Sequence, residues 1–199
     1  MKIIFIGTVE FSQKALQKLI DLKADIAGVL MKAKSDFNAD FCDLSPLCKA
    51  KNIPYMFVKD INSNEVISWV KKQKADVVFC FGFSQLLGEE LLESVPMGGI
   101  GYHPAKLPEN RGRHPLVWAL VKGYTTTAST FFFMDSCADS GEILDEEIIN
   151  IAYEDTARSL YDKVTAAALM QIERFLPKLQ SGIYETVSQD DKKAGYLRK

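Results

Sequence analysis

The strongest constraint on the fold is an alternation. Over the first hundred residues, short apolar runs trade places with stretches whose apolar residues recur at helical spacing. Lys2–Ile6 is an apolar run ending at Gly7, as expected of a strand buried on both faces. Phe11, Ala15, Leu19 and Leu22 then repeat with a helical period and predict a helix over about 10–22. Asp25–Met31 reads as a second strand and 32–40 as a polar loop. Ser45-Pro46 suits an N-cap with proline at the first helical position, opening a short helix to about Lys51. A third strand over 54–58 follows, then a helix capped by Asn62 or Ser63 and carrying Val66, Ile67 and Val70. An apolar fourth strand over 75–83, a helix over 86–94 and a fifth strand over 98–103 complete the series. Repeated β-α-β units imply a Rossmann-like α/β fold: an open, mostly parallel sheet with helices on both faces and right-handed crossovers.

After His103 the rhythm changes. A helix over 113–122 stops at Gly123, and two strands over 128–134 and 143–151 flank an Asp-rich turn, so a mixed or antiparallel edge is expected. Asp155 is the expected cap of a long helix whose apolar face carries Ala157, Leu160, Val164, Ala167, Ala168, Ile172 and Phe175, and which ends between Pro177 and Gly182. No internal repeat or linker interrupts this order. One domain over 1–182 and a polar C-terminal tail over 183–199 are therefore expected.

Composition removes several classes. With 199 residues, a net charge of −2 and 47% hydrophobic content, the chain has no global basic field to attract nucleic acid. Cys42, Cys48, Cys80 and Cys137 form no C-x-x-C pair and only two histidines are present, so neither a metal framework nor a disulfide scaffold is expected. No apolar run approaches the roughly 18 residues of a membrane span, and the opening M-K-I-I-F-I-G is too short for a secretion signal. The expectation is a cytoplasmic protein with no nucleic-acid or membrane partner, with a homodimer left open.

Both histidines, His103 and His114, fall between Ile100 and Pro115, and an Asp-Ser-Gly turn at Asp139 answers them. Ligands of open parallel sheets bind outside the carboxyl ends of the strands, where His103, Gly7-Thr8 and Phe83-Ser84 are all expected. Histidine can take and return a proton near neutral pH, and a carboxylate can orient it and stabilise the imidazolium. The bland alternative is that His103 ends a strand and hydrogen-bonds to a loop. The signatures G-x-G-x-x-G, G-x-x-x-x-G-K-[ST] and G-x-S-x-G are absent, which takes most of the weight from hydride transfer, phosphoryl transfer and serine hydrolysis.

I-G-T-V-E-F at 6–11, H-P-A-K-L-P-E-N-R-G-R-H-P at 103–115 and M-D-S-C-A-D-S-G-E-I-L at 134–144 resemble the formyltransferases that use 10-formyltetrahydrofolate, in the right order over about residues 1–180. The resemblance implies an N-formyltransferase of formyltransferase fold, without a metal, in which His103 and Asp139 are the catalytic pair. It implies a folate slot from the segments 81–87 and 135–139, with Phe81, Phe83, Leu86, Leu87, Asp135 and Ala138 as candidates. Phe81 and Phe83 read equally well as core aromatics. Thr8, Arg111 and Arg113 are the candidate substrate contacts, although an arginine here could equally hold the loop; His114 reads as a loop or helix-start residue.

One family position departs. Where the family has Asn-x-His, this chain has Gly101-Tyr102-His103. That amide is expected to help hold the oxyanion on the formyl carbon, and losing such a donor can cost roughly 10²–10³ in rate. Three readings stay open: another donor takes its place, His103 acts alone, or the chain is a relative that binds folate without turnover. The acidic pI and the expected tail leave a nucleotide-linked amino sugar as first choice of substrate, with glycinamide ribonucleotide as runner-up.

Overall fold

The computed structural model describes residues 1–35 and 39–198. Part of the expected loop over 32–40, residues 36–38, lies outside the described residues. Seven strands form one mixed sheet, the open α/β architecture expected from the alternation, in the order β3 (Tyr55–Phe57), β2 (Asp25–Met31), β1 (Lys2–Ile6), β4 (Val77–Cys80), β5 (Gly99–His103), β7 (Thr126–Phe133), β8 (Ile143–Asn150). By internal packing the chain divides into two compact units, Met1–Ile100 and Gly101–Lys199.

In the first unit, β1 (Lys2–Ile6) is flanked in parallel register by β2 (Asp25–Met31) and β4 (Val77–Cys80), and β2 pairs in parallel with β3 (Tyr55–Phe57). β4 is wholly buried and β1 is buried from Ile3 onward, which explains their unbroken apolar sequences. Helix α1 (Glu10–Asp21) buries Phe11, Ala15, Leu16 and Leu19, the face its periodicity announced. Ser12 on α1 is a hub. Its hydroxyl donates to the Phe81 carbonyl at 2.6 Å and accepts from the Thr8 and Val9 amides at 3.0 and 3.1 Å, tying the ends of β1 and β4 together. Helix α2 (Ser45–Ala50) begins with Ser45 and has Leu44 at its N-cap, while Ser63 caps α3 (Asn64–Gln73) by accepting from the Val66 amide.

Two expectations need correction here. The fourth strand ends at Cys80 because the chain turns at Gly82, whose φ is +77°. The helix over 86–94 shrinks to α4 (Glu89–Leu92), because side chains hold its first part as a loop. Gln85 bridges the Ile61 amide and the Lys59 carbonyl, and Asn62 bridges the Leu86 carbonyl and the Gly88 amide. Such capture competes with helical bonding.

Burial pushes the Cys80 thiol up to about 12 and, with Asp43 beside it, the Cys48 thiol up to about 11, whereas Cys137 is exposed. A thiol-specific disulfide reagent at pH 8 is therefore expected to modify Cys137 quickly and leave Cys80 and Cys48 intact in the folded protein. Labelling of Cys80 as fast as Cys137 would contradict the packing of β4.

In the second unit, β7 (Thr126–Phe133) and β8 (Ile143–Asn150) pair antiparallel, the expected edge. Helix α6 (Ala157–Ser181) packs on both strands through Leu160, Val164, Ala168, Ile172 and Phe175, and Phe175 meets Phe131 edge-on. Its N-cap is Thr156, not Asp155. Thr156 accepts from the Ser159 amide, while Asp155 accepts from Ala152, Ser159 and Lys163, which hold its carboxyl down at about 2. Helix α5 (Pro115–Val121) starts two residues later than expected, because His114 takes a left-handed conformation (φ +53°) as its N-cap. A second, two-stranded parallel sheet, in which β6 (Arg111–Gly112) pairs with β9 (Tyr196–Leu197), is signalled by no periodicity. Among the described residues, no helix is long and apolar enough to cross a membrane, and no group of three metal-ligating side chains occurs.

Candidate active site

His103 is the last residue of β5 (Gly99–His103) and is only 5% exposed. Its Nε2 lies 2.7 Å from the Asn110 carbonyl oxygen. A carbonyl has no hydrogen to give, so Nε2 carries one and donates it. In the neutral ring the basic nitrogen is then Nδ1. It faces Asp139 Oδ2 at 3.8 Å, beyond hydrogen-bond range but within ion-pair distance once the ring is protonated. Two opposite charges about 4 Å apart attract by about 4 kcal/mol at an effective dielectric near 20. The ring is thus fixed by one nitrogen and open to a proton on the other.

Asp139 is placed by its backbone and by a donor. Its φ of +57° is the left-handed conformation that Asp adopts more readily than most residues. Its Oδ2 accepts from the Gly112 amide at 2.9 Å, and the side chain is 20% exposed. The turn before it is closed by Asp135, whose Oδ1 accepts from the Cys137 amide and the Ser140 hydroxyl. Behind it Gly141 is required: a Cβ there would lie 1.8 Å from the Phe133 carbonyl oxygen.

The structure thus brings His103 and Asp139 together, with Asp135 and Ala138 in the same turn. Arg111 takes the structural role. Its side chain is 3% exposed, and its Nε, Nη1 and Nη2 donate to Gln189, Tyr196 and Asp191. Arg113 is exposed two residues further on, and His114 is a helix cap. Thr8, Phe81, Phe83, Leu86 and Leu87 belong to the first unit. The Phe81 ring is fully buried, stacked on Phe79 with Phe5 at its edge, so it fills the core. Phe83 lies under the Lys32 ammonium, Leu87 is buried and Leu86 is 69% exposed. The buried Thr8 hydroxyl has no hydrogen-bond partner among the described residues.

Gly101 is buried, and a Cβ placed on it would come within 2.7 Å of the Phe132 ring and 3.3 Å of Met134. The space an amide side chain would need is filled by an aromatic ring. Gly101→Asn is expected to destabilise the protein by about 1–3 kcal/mol through overpacking. In chemical denaturation, the pair Gly101→Asn with Phe132→Ala should be less destabilised than the sum of the two single changes. Strict additivity would show that Phe132 does not close this space.

Three contributors escaped the sequence reading: the Asn110 carbonyl, the Gly112 amide and the Gln189 side chain. The first two are backbone groups, which no residue pattern reveals. Gln189 lies in a stretch without periodicity that reads as a solvated tail.

A family model described as formyl transferase matches residues 1–174. Methionyl-tRNA formyltransferase of Geotalea daltonii is 31% identical over 195 residues, 96% of this chain but 62% of that protein, so the chain spans less than two thirds of this relative. Phosphoribosylglycinamide formyltransferase of Bacillus halodurans superposes with a TM-score of 0.79 at 21% identity, over 91% of this chain and 96% of that one. An N-formyltransferase of Helicobacter canadensis, solved with folinic acid and dTDP-3-aminofucose, gives 0.76 at 16% identity, over 99% and 70%. At these identities the structural likeness speaks for the fold.

Proposed function

The chain belongs to the formyl transferase family, and we propose that it is an N-formyltransferase passing a formyl group from 10-formyltetrahydrofolate to the amine of a nucleotide-linked amino sugar. The observation that carries this reading is the His103 ring, held through Nε2 by the Asn110 carbonyl with Nδ1 turned toward Asp139. The donor set fits a formyl donor: exchanging one nitrogen for another on an acyl carbon needs one group that accepts a proton and returns it. When bound, 10-formyltetrahydrofolate supplies the electrophilic carbon, whose bond to the folate nitrogen is exchanged for one to the substrate amine.

His103 Nδ1 takes the proton that the attacking amine must lose. The imidazolium so formed keeps its Nε2 bond and is stabilised by the Asp139 carboxylate. The same proton then passes to the departing folate nitrogen, and the ring is restored. Gly101 offers no side chain to the formyl oxygen, so that charge falls to the protonated His103 ring.

Folate contacts are assigned to the segment 135–139 of the second unit; the segment 81–87 belongs to the first unit, where the Phe81 ring fills the core. Arg113, exposed beside the site, is the proposed phosphate contact.

The choice of an amino sugar is supported by the T-V-E-F opening, which resembles the methionyl-tRNA and sugar branches of the family more than the glycinamide ribonucleotide branch, and by the Helicobacter canadensis enzyme, solved with dTDP-3-aminofucose. Glycinamide ribonucleotide is the second reading, favoured by the match along 96% of the Bacillus halodurans enzyme. The test is incubation with 10-formyltetrahydrofolate and a panel of nucleotide-linked amino sugars, glycinamide ribonucleotide and methionyl-tRNA, following tetrahydrofolate release. Turnover with an amino sugar supports the proposal, and turnover only with another amine replaces its substrate. Folate binding without turnover on any amine would make the chain a binding relative.

A further inference from the structure

Gln189 is 50 residues from Asp139 in sequence, yet its side chain is bound to the turn that carries it. Its Nε2 donates to the Asp139 carbonyl at 3.0 Å and to the Gly141 carbonyl at 2.7 Å. Its Oε1 accepts from Arg111 Nε at 3.1 Å and Nη2 at 2.8 Å. One amide therefore uses both ends, gripping the turn that bears the carboxylate and the loop whose Gly112 amide binds that carboxylate. The grip acts at a residue with left-handed backbone, φ +57°.

We infer that Gln189 is a positioning residue of the formyl-transfer site, holding the Asp139 carboxylate against His103 by clamping the 139–141 turn to Arg111. The inference rests on the reading of His103 and Asp139 as the acid–base pair. It makes 187–197 part of the site's machinery. That segment is anchored independently of Gln189, by a Val187–Ile143 bridge and by the β6–β9 pairing, in which Arg111 and Arg113 donate their amides to the Gly195 and Leu197 carbonyls. Losing the clamp therefore frees the Asp139 turn without detaching the segment.

The discriminating variant is Gln189→Glu. A carboxylate keeps the bonds from Arg111 but cannot donate to the two carbonyls. With wild-type protein and the best amine of the panel, Gln189→Glu is expected to lower kcat about 10–100-fold with KM little changed, the scale of a small misplacement at a reacting centre. In an Asp139→Asn background the same change should cost less than twofold, because the carboxylate it positions is gone. An unchanged kcat, or an equal loss in both backgrounds, would overturn the inference.

A second readout needs no turnover. Amide hydrogen exchange at Gly112, bonded to Asp139 Oδ2, should quicken at least tenfold in Gln189→Glu, while Arg111 and Arg113 keep their protection. Equal quickening of all three would mean general loosening, and no change at Gly112 would mean no clamp; either result overturns the inference. If the wild type turns over no amine, the functional reading fails on its own and Gly112 exchange still decides the role of Gln189.

Discussion

Replacing His103 with alanine is expected to lower kcat for formyl transfer by about 10²–10⁴-fold, the range general acid–base groups contribute. The loss should be large because, among the described residues, the ring's contacts are the Asn110 carbonyl and a carboxylate that already accepts from Gly112. His114 cannot substitute, since it caps α5 on an exposed turn. The substitution also leaves the Asn110 carbonyl without its donor, a cost of about 1–3 kcal/mol. A thermal melt beside the rate measurement separates this cost from catalysis. A folded alanine variant that keeps its rate would remove His103 from the chemistry.

Asp139→Asn is expected to lower kcat by about 10²–10³-fold. The substitution removes the charge that stabilises the imidazolium, a few kcal/mol at this separation. Backbone placement should survive, because Asn accepts the left-handed conformation and can take the Gly112 amide through its oxygen. Stability should therefore change little while turnover falls. A variant with near-normal kcat would show that the carboxylate is not coupled to the reaction.

The parts of the fold legible in sequence were those written as periodic burial. β1, α1, β2 and α3 appear where their apolar residues recur, because each buries one continuous face. The errors lie where a polar side chain captures the backbone. Asn62 and Gln85 hold 85–88 out of a helix, Thr156 takes the cap from Asp155, and Gly82 ends β4 early. The two-residue pairing of β6 with β9 is too short to leave a period in the sequence. At the site, His103 and Asp139 could be singled out because they are titratable side chains in a recognisable order. Arg111 was ambiguous because an arginine beside a cleft serves a phosphate or a loop equally well, and only its bonds to Gln189, Asp191 and Tyr196 decide. Phe81 was drawn to the folate slot by its neighbours, but its ring completes the core with Phe5 and Phe79.

The most direct test of the acid–base account is the protonation of the His103 ring, measured by nitrogen NMR on protein labelled at histidine, at a pH high enough to leave the ring neutral. With only two histidines in the chain, a His114→Gln variant assigns the signals. The expected result is hydrogen on Nε2, bonded to the Asn110 carbonyl, with Nδ1 bare and facing Asp139. Hydrogen on Nδ1 would contradict it, because the nitrogen beside the carboxylate could not then be the base.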